Sequence, residues 1–180
     1  MDDLKEILIK HKIIKIKKDR EELFILKSGK KSKLFINIKE ACLDSIILDE
    51  IVSRISGIVI DLDLQFDVIG SVAIGGIPIA SVFSYKTYTP QVIVRSEKHD
   101  RGTQTQVIGD CKDKEVLLIE DVATTGGSII KAVKAIRDAG GICTKCIVVV
   151  DRQEGATENC AKENIELISL LKKSDFGIKE

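Results

Sequence analysis

Two adjacent carboxylates and a run of hydroxyls and glycines stand together in the sequence. Glu120 and Asp121 lead through Val122 and Ala123 into Thr124-Thr125-Gly126-Gly127-Ser128. The glycines let a backbone close around a phosphate, and the hydroxyls of Thr124, Thr125 and Ser128 add donors. Free N–H groups at a helix start, with the positive end of its dipole, complete an anion site. The two acids would repel that phosphate unless they face another part of the same ligand. Carboxylates suit sugar hydroxyls and Mg2+, so the implied ligand is a ribose phosphate. This is not a Walker A loop, because no Gly-Lys-Ser/Thr follows at the required spacing, nor does it carry the G-x-G-x-x-G of a dinucleotide fingerprint. Its plainer reading is a capped turn with Ser128 or Thr125 as N-cap.

The elements around this run must deliver it. Val116 to Ile119 is short and branched, as in a strand buried on both faces, which places the acids on the loop that follows. From Ser128 to Ala139, Ile129, Val133 and Ile136 recur at helical spacing until Gly140-Gly141 stops the pattern. Strand, acidic loop and helix form half of a βαβ unit. Upstream, Asp67 to Ile74 reads as a buried strand, Gly75-Gly76 as its turn, and Ile77 to Thr87 as a helix with Pro78 in its first turn. Asp44 to Asp61 is helical by its Ile47, Ile51, Val52, Ile55 and Ile58. Gln91 to Arg95, Cys143 to Asp151 and Ile165 to Leu171 read as further strands. Residues 2 to 11 form an amphipathic helix, and the apolar runs on either side of Ser28-Gly29-Lys30-Lys31 suggest a hairpin. Strands alternating with helices give an α/β fold with a mainly parallel sheet.

In such sheets ligands collect beyond the C-terminal ends of the strands. Three more strand ends carry unusual residues: Gly75-Gly76, Arg95 with a polar stretch to Thr105, and Asp151-Arg152-Gln153. The polar stretch, about ten residues, is long enough to be functional. Plainer readings stand beside these: a strand-to-helix turn at Gly75-Gly76, a solvated loop, and a surface pairing of Arg152 with Asp151 or Glu154.

The totals set limits. With 180 residues the chain fits one domain, 1–180, and 44% apolar residues argue against disorder. Lys plus Arg equal Asp plus Glu at 28 each, which gives no reason to expect nucleic acid as a partner. No apolar run is long enough to span a bilayer and the N-terminus starts acidic, so no membrane partner and a cytoplasmic location are expected. Five cysteines form no framework. Cys143 and Cys146 make a C-x-x-C without a second pair, so ordinary thiols are expected.

The stretch from Val116 to Ser128 resembles the phosphoribosyl-diphosphate (PRPP) binding signature of type I phosphoribosyltransferases. Within that group, the stretches from Leu26 to Asn37, Gly70 to Ala80 and Val150 to Leu171 are similar to orotate phosphoribosyltransferases, in matching order. The resemblance implies a type I phosphoribosyltransferase fold with a small hood from about 1–40 and 152–180 and a mobile loop over about 96–106. It implies Mg2+-dependent transfer of the phosphoribosyl group from PRPP to orotate, in a homodimer that shares the loop across its interface. By the match, Glu120 and Asp121 would bind the ribose hydroxyls and stabilise a cationic sugar. Thr124 to Ser128 would hold the 5-phosphate, with Thr124 also near the base, and Val122 and Ala123 would be further PRPP contacts. Ala73, Ile74, Gly75 and Gly76 would offer N–H groups to the diphosphate. Lys27 would approach the diphosphate and orotate, Phe35 with the Leu34–Phe35 backbone would flank the pyrimidine ring, and Arg152 would face the orotate carboxylate. Mg2+ would be held mainly by PRPP and water.

The loop departs from the family pattern. Arg95 and Gly102 align, but Ser96 replaces a lysine, His99 falls where the loop lysine is expected, Lys98 sits one position early and Arg101 replaces a histidine. Lys98 and His99 are the candidate catalytic donors, with Arg95 and Arg101 as further PRPP contacts. Gly75 stands where some members carry a lysine. Each assignment has a bland counterpart: a solvated turn for Lys27 and Lys30-Lys31, core packing for Phe35. The rival functions are another base-specific phosphoribosyltransferase and a non-catalytic PRPP-binding regulator. No decarboxylase domain is expected.

Overall fold

The computed structural model describes residues 3–17, 22–25, 29, 31–95 and 106–178. Asp3 caps the first helix, Leu4–Lys10 (α1), by accepting a hydrogen bond from the Lys5 N–H, and Leu4 and Leu8 are buried beneath it. Four short strands follow: Ile14–Ile16 (β1), Phe24–Ile25 (β2), Lys31–Ser32 (β3) and Leu34–Ile36 (β4). The expected hairpin is only partly present. β2 pairs with β3, but the second apolar run, β4, pairs antiparallel with β1, which lies in the Lys- and Ile-rich residues 9–18. β1 covers Ile14 at 1% exposure, and this burial outweighs the local polarity of its lysines.

Next come the one-turn helix Ile38–Ala41 (α2) and the long helix Ser45–Asp61 (α3). Asp44 caps α3 with its carboxylate accepting from the Ile46 and Ile47 N–H groups. The central sheet is built from Val68–Val72 (β5), Gln91–Val94 (β6), Val107–Ile108 (β7), Glu115–Ala123 (β8), Ile142–Asp151 (β9) and Glu166–Lys172 (β10). The order is β10-β9-β8-β5-β6-β7, parallel throughout except the antiparallel edge pair β6/β7. Between the strands run Gly76–Thr87 (α4), Gly127–Asp138 (α5) and Ala156–Lys162 (α6).

Alternation along the strands sorts the core into two layers. Ile69, Leu117, Ile119, Ile147 and Val149 pack with Ile47, Ile51, Ile55, Ile79 and Phe83 of α3 and α4. Val68, Val116, Leu118, Cys146 and Val148 pack with Ile129, Val133 and Ile136 of α5 and Cys160 of α6. Cys143 and Cys146 both belong to this second layer, because β9 bulges opposite Val116 and shifts the register by one residue. Burial pushes both thiols up, Cys143 to about 12, so they are core residues rather than nucleophiles or ligands.

Two turns past the sheet position the site. β8 does not end at its apolar run: it continues through Glu120 and Asp121 to Ala123, so the acids lie in the strand and not on a loop. Glu120 pairs with Val148 and Val122 with Val150 of β9, and this ladder holds the acids at 5% and 6% exposure.

Candidate active site

Burying two adjacent carboxylates requires partners for each. Glu120 Oε1 accepts the Asp121 N–H at 3.0 Å, and Asp121 Oδ1 accepts the Val122 N–H at 2.9 Å. Asp121 Oδ2 takes the ammonium of Lys39 at 2.6 Å, from the one-turn helix α2. Gly75 makes room for this arrangement: a Cβ there would collide with all three atoms of the Asp121 carboxyl group. Burial, and the hydrogen bond and charge of Asp121, push the carboxyl of Glu120 up to about 8. The neighbouring thiol of Cys42 is pushed up to about 11 by burial and by Asp121, so it stays neutral.

The raised carboxyl has a stability consequence. A group whose folded pKa exceeds its unfolded one stabilises the fold fully below the unfolded value near 4.5 and loses that contribution as pH rises through about 8. The ligand-free protein is therefore expected to lose stability across that window, and Glu120→Gln to flatten the slope. Urea midpoints of both proteins from pH 5 to 9 check this; parallel curves would contradict it.

After Ala123 the chain turns into α5 through Thr124 to Gly126. No side chain caps this helix, so neither Thr125 nor Ser128 acts as N-cap. Among the described residues, the N–H groups from Thr124 to Ser128 have no acceptor. Five consecutive donors at the start of a three-turn helix make an anion cradle. Gly126 lies at φ +81°, a left-handed conformation, and a Cβ there would press on Cys160 Sγ and the Ala156 carbonyl of α6. Asn159 of the same helix donates its side-chain amide to the Thr125 carbonyl at 3.0 Å.

A second cradle faces the first. The chain leaves β5 through Ala73, Ile74 and Gly75, with a cis peptide at Ala73–Ile74. The Ala73 N–H is committed to the Val94 carbonyl at 2.9 Å, whereas those of Ile74 and Gly75 have no acceptor among the described residues. Between the two lies a cavity of about 370 Å³. Of the residues expected at a site, Ala73, Ile74, Gly75, Arg95, Glu120, Asp121, Val122 and Ser128 line it. Gly76, Ala123, Thr124, Thr125, Gly126 and Gly127 adjoin these in the chain. Lys27, Lys98, His99 and Arg101 lie outside the described residues, as does the expected loop apart from Gln106.

Leu34, Phe35 and Arg152 are not on the cavity wall. Leu34 is buried, and its N–H and carbonyl are both hydrogen-bonded to the Ser32 hydroxyl at 3.0 Å. Phe35 is half-buried against Phe24, ring centroids 5.5 Å apart, with Lys15 above its ring. Arg152 follows β9, its N–H bonded to the Ala123 carbonyl at 2.9 Å, which sets it beside the first cradle. Its Nε lies 3.0 Å from Glu154 Oε1 and is buried, but no acceptor among the described residues aligns with the N–H. The distance makes an ion pair without a hydrogen bond.

Among the cavity residues that sequence reasoning did not single out, three are polar: Lys39, Gln106 and Lys131. Lys131 had a usable signal, one turn after Ser128 on the same helix face. Gln106 pairs with Arg95 at the two stems of the polar stretch, Arg95 N–H to the Gln106 carbonyl at 3.0 Å. Lys39 carried no local signal.

Residues 44–174 match the phosphoribosyl transferase domain family. The chain is 46% identical to the orotate phosphoribosyltransferase of Methanocaldococcus jannaschii, covering 82% of this chain and 83% of that protein. It is 45% identical to the orotate phosphoribosyltransferase of Picrophilus torridus, covering 85% and 90% respectively. Among solved structures it is similar to orotate phosphoribosyltransferase from Aeropyrum pernix, with a TM-score of 0.82, 29% identity, and 96% and 94% of the two chains covered.

Proposed function

The chain belongs to the orotate phosphoribosyltransferase family, and on that premise we propose that it transfers the phosphoribosyl group of PRPP to orotate. The products are orotidine 5′-monophosphate and diphosphate, a step of pyrimidine biosynthesis. The observation that carries the reading is the buried acid pair of β8, followed after Val122 and Ala123 by five N–H groups at the start of α5 that have no acceptor among the described residues. In this reading the 5-phosphate sits on Thr124 to Ser128, the ribose hydroxyls meet Glu120 and Asp121, and the diphosphate meets the turn from Ala73 to Gly76.

Displacement breaks the bond from the anomeric carbon to the diphosphate oxygen, and the electron pair leaves with the oxygen. The orotate ring nitrogen forms the new C–N bond, and its proton passes to solvent or to the departing diphosphate. Positive charge develops on the sugar between these events, where the fixed negative charge of Asp121 is worth most. The remaining work is holding both reactants in line.

Mg2+ enters as a companion of PRPP. Among the described residues no group of three or more His, Cys, Asp or Glu could hold a metal. A small hard cation that keeps its waters suits substrate phosphates and one or two carboxylates, and Glu120 and Asp121 are the carboxylates that line the cavity. When bound, the ion would offset the charge of the diphosphate. Lys27, Lys98, His99 and Arg101 join the proposal on the sequence resemblance alone, as do the hood, the mobile loop and a homodimer sharing that loop. Among the described residues no helix is long and apolar enough to cross a membrane, and a cytoplasmic location suits the reaction.

For orotate, Phe35 and Leu34 would flank the ring and Arg152 would receive the carboxylate. Its buried Nε–H without an aligned acceptor supports that role. The experiment is diphosphate release by the purified chain with PRPP, Mg2+ and a panel of bases. Turnover with orotate is expected; reaction with another base and none with orotate would overturn the proposal. Arg152→Ala is expected to raise the KM for orotate about 10- to 100-fold, the range of a lost charged hydrogen bond, with the KM for PRPP little changed.

A further inference from the structure

We infer that Lys39 is a cation that receives the diphosphate end of PRPP, in place of the charge that Gly75 does not supply. The inference rests on the PRPP reading above and assigns a contact within it. Lys39 lies 82 residues from Asp121 in the chain, yet its Nζ reaches Asp121 Oδ2 at 2.6 Å. Its side chain is 58% exposed while that of Asp121 is 8% exposed, so the ammonium lies at the mouth of the buried acid pair. An ammonium has three donors, and one of these goes to Asp121.

The same cavity wall carries Ile74 and Gly75, whose N–H groups have no acceptor among the described residues. A Cβ at position 75 would meet the Asp121 carboxyl group where it now lies, so glycine leaves this wall without a side chain of its own. The turn from Ala73 to Gly76 therefore offers donors without charge, and the negative Asp121 beside it works against a diphosphate. Lys39 answers both needs from one position: it neutralises Asp121 and turns two further donors towards an anion on the Gly75 side. Arg95 and Lys131 also line the cavity. Lys131 stands on α5 one turn from Ser128, at the end where the 5-phosphate belongs, and Arg95 stands at the stem of the polar stretch. Lys39 is the cation bonded to the acid pair itself.

The alternative is that Lys39 only neutralises Asp121. A double-mutant cycle separates the two, read as binding of inorganic diphosphate with Mg2+ to the enzyme by calorimetry, with no turnover required. Lys39→Met is expected to weaken diphosphate about tenfold or more and ribose 5-phosphate by less than about threefold. In an Asp121→Asn background the loss on Lys39→Met is expected to persist. If Asp121→Asn restores diphosphate affinity to Lys39→Met, or if both ligands weaken equally, the direct contact is refuted. Lys39→Arg should recover most of the affinity, and Lys39→Gln replaces Lys39→Met if that variant does not fold. Absence of orotate turnover in the unaltered enzyme would defeat the proposed function; unchanged diphosphate binding in the Lys39 variants would defeat this contact alone.

Discussion

Replacing Asp121 by Asn is expected to lower kcat/KM for PRPP about 10²- to 10³-fold, the range seen when one fixed electrostatic group is lost at a reaction centre. The change is nearly isosteric, so the β8/β9 ladder and the Val122 N–H bond can persist. What disappears is the negative charge beside the developing cationic sugar, together with the ion pair to Lys39. An interaction made mainly in the transition state shows itself in kcat, so PRPP affinity should fall far less than turnover. Steady-state kinetics with equilibrium PRPP binding tests this. A raised KM at unchanged kcat would show that Asp121 only binds the ground-state sugar. The free protein should not lose stability, because one of two adjacent buried acids is removed.

Gly75→Ala is expected to cost about 10²-fold in kcat/KM while leaving the fold intact. The backbone at Gly75 has φ −64° and ψ −41°, which any residue adopts, so conformational strain is not the cause. The cause is space: the new methyl would coincide with the Asp121 carboxyl group. The carboxylate must turn, leaving Lys39 and the Val122 N–H, and a displacement of about 1 Å at a reacting centre has consequences of this size. The melting temperature should shift by no more than about 4 °C, equivalent to ~1 kcal/mol for a chain of this length. Full activity in the variant would mean that the acid has freedom to move without consequence, and the assigned role of Asp121 would fall with it.

Much of this arrangement was legible in the sequence because it is local. Branched apolar runs marked β5, β8 and β9, and helical spacing marked α3, α4 and α5; the glycines and hydroxyls of the α5 cradle follow one another in the chain. Tertiary effects were not legible. Charged residues are seldom buried unpaired, so the strand appeared to stop at Ile119. Only pairing with β9 and the distant Lys39 allows it to run on through Glu120 and Asp121. β1 was hidden in a lysine-rich stretch because three residues give too short a pattern to register, and its partner β4 lies 20 residues on. The pairing of Phe35 with Phe24 likewise depends on two short ladders meeting, which no spacing announces.

The contact between Gly126 and α6 has a thermodynamic meaning for the ligand. Gly126 lies close against α6, and Asn159 holds the Thr125 carbonyl before anything binds, so part of the cradle's conformational entropy is lost during folding and not at the encounter with phosphate. Phosphate affinity then depends on how firmly α6 is seated. Conditions that loosen this seven-residue helix would blunt recognition of the sugar phosphate through the Asn159 bond to the cradle.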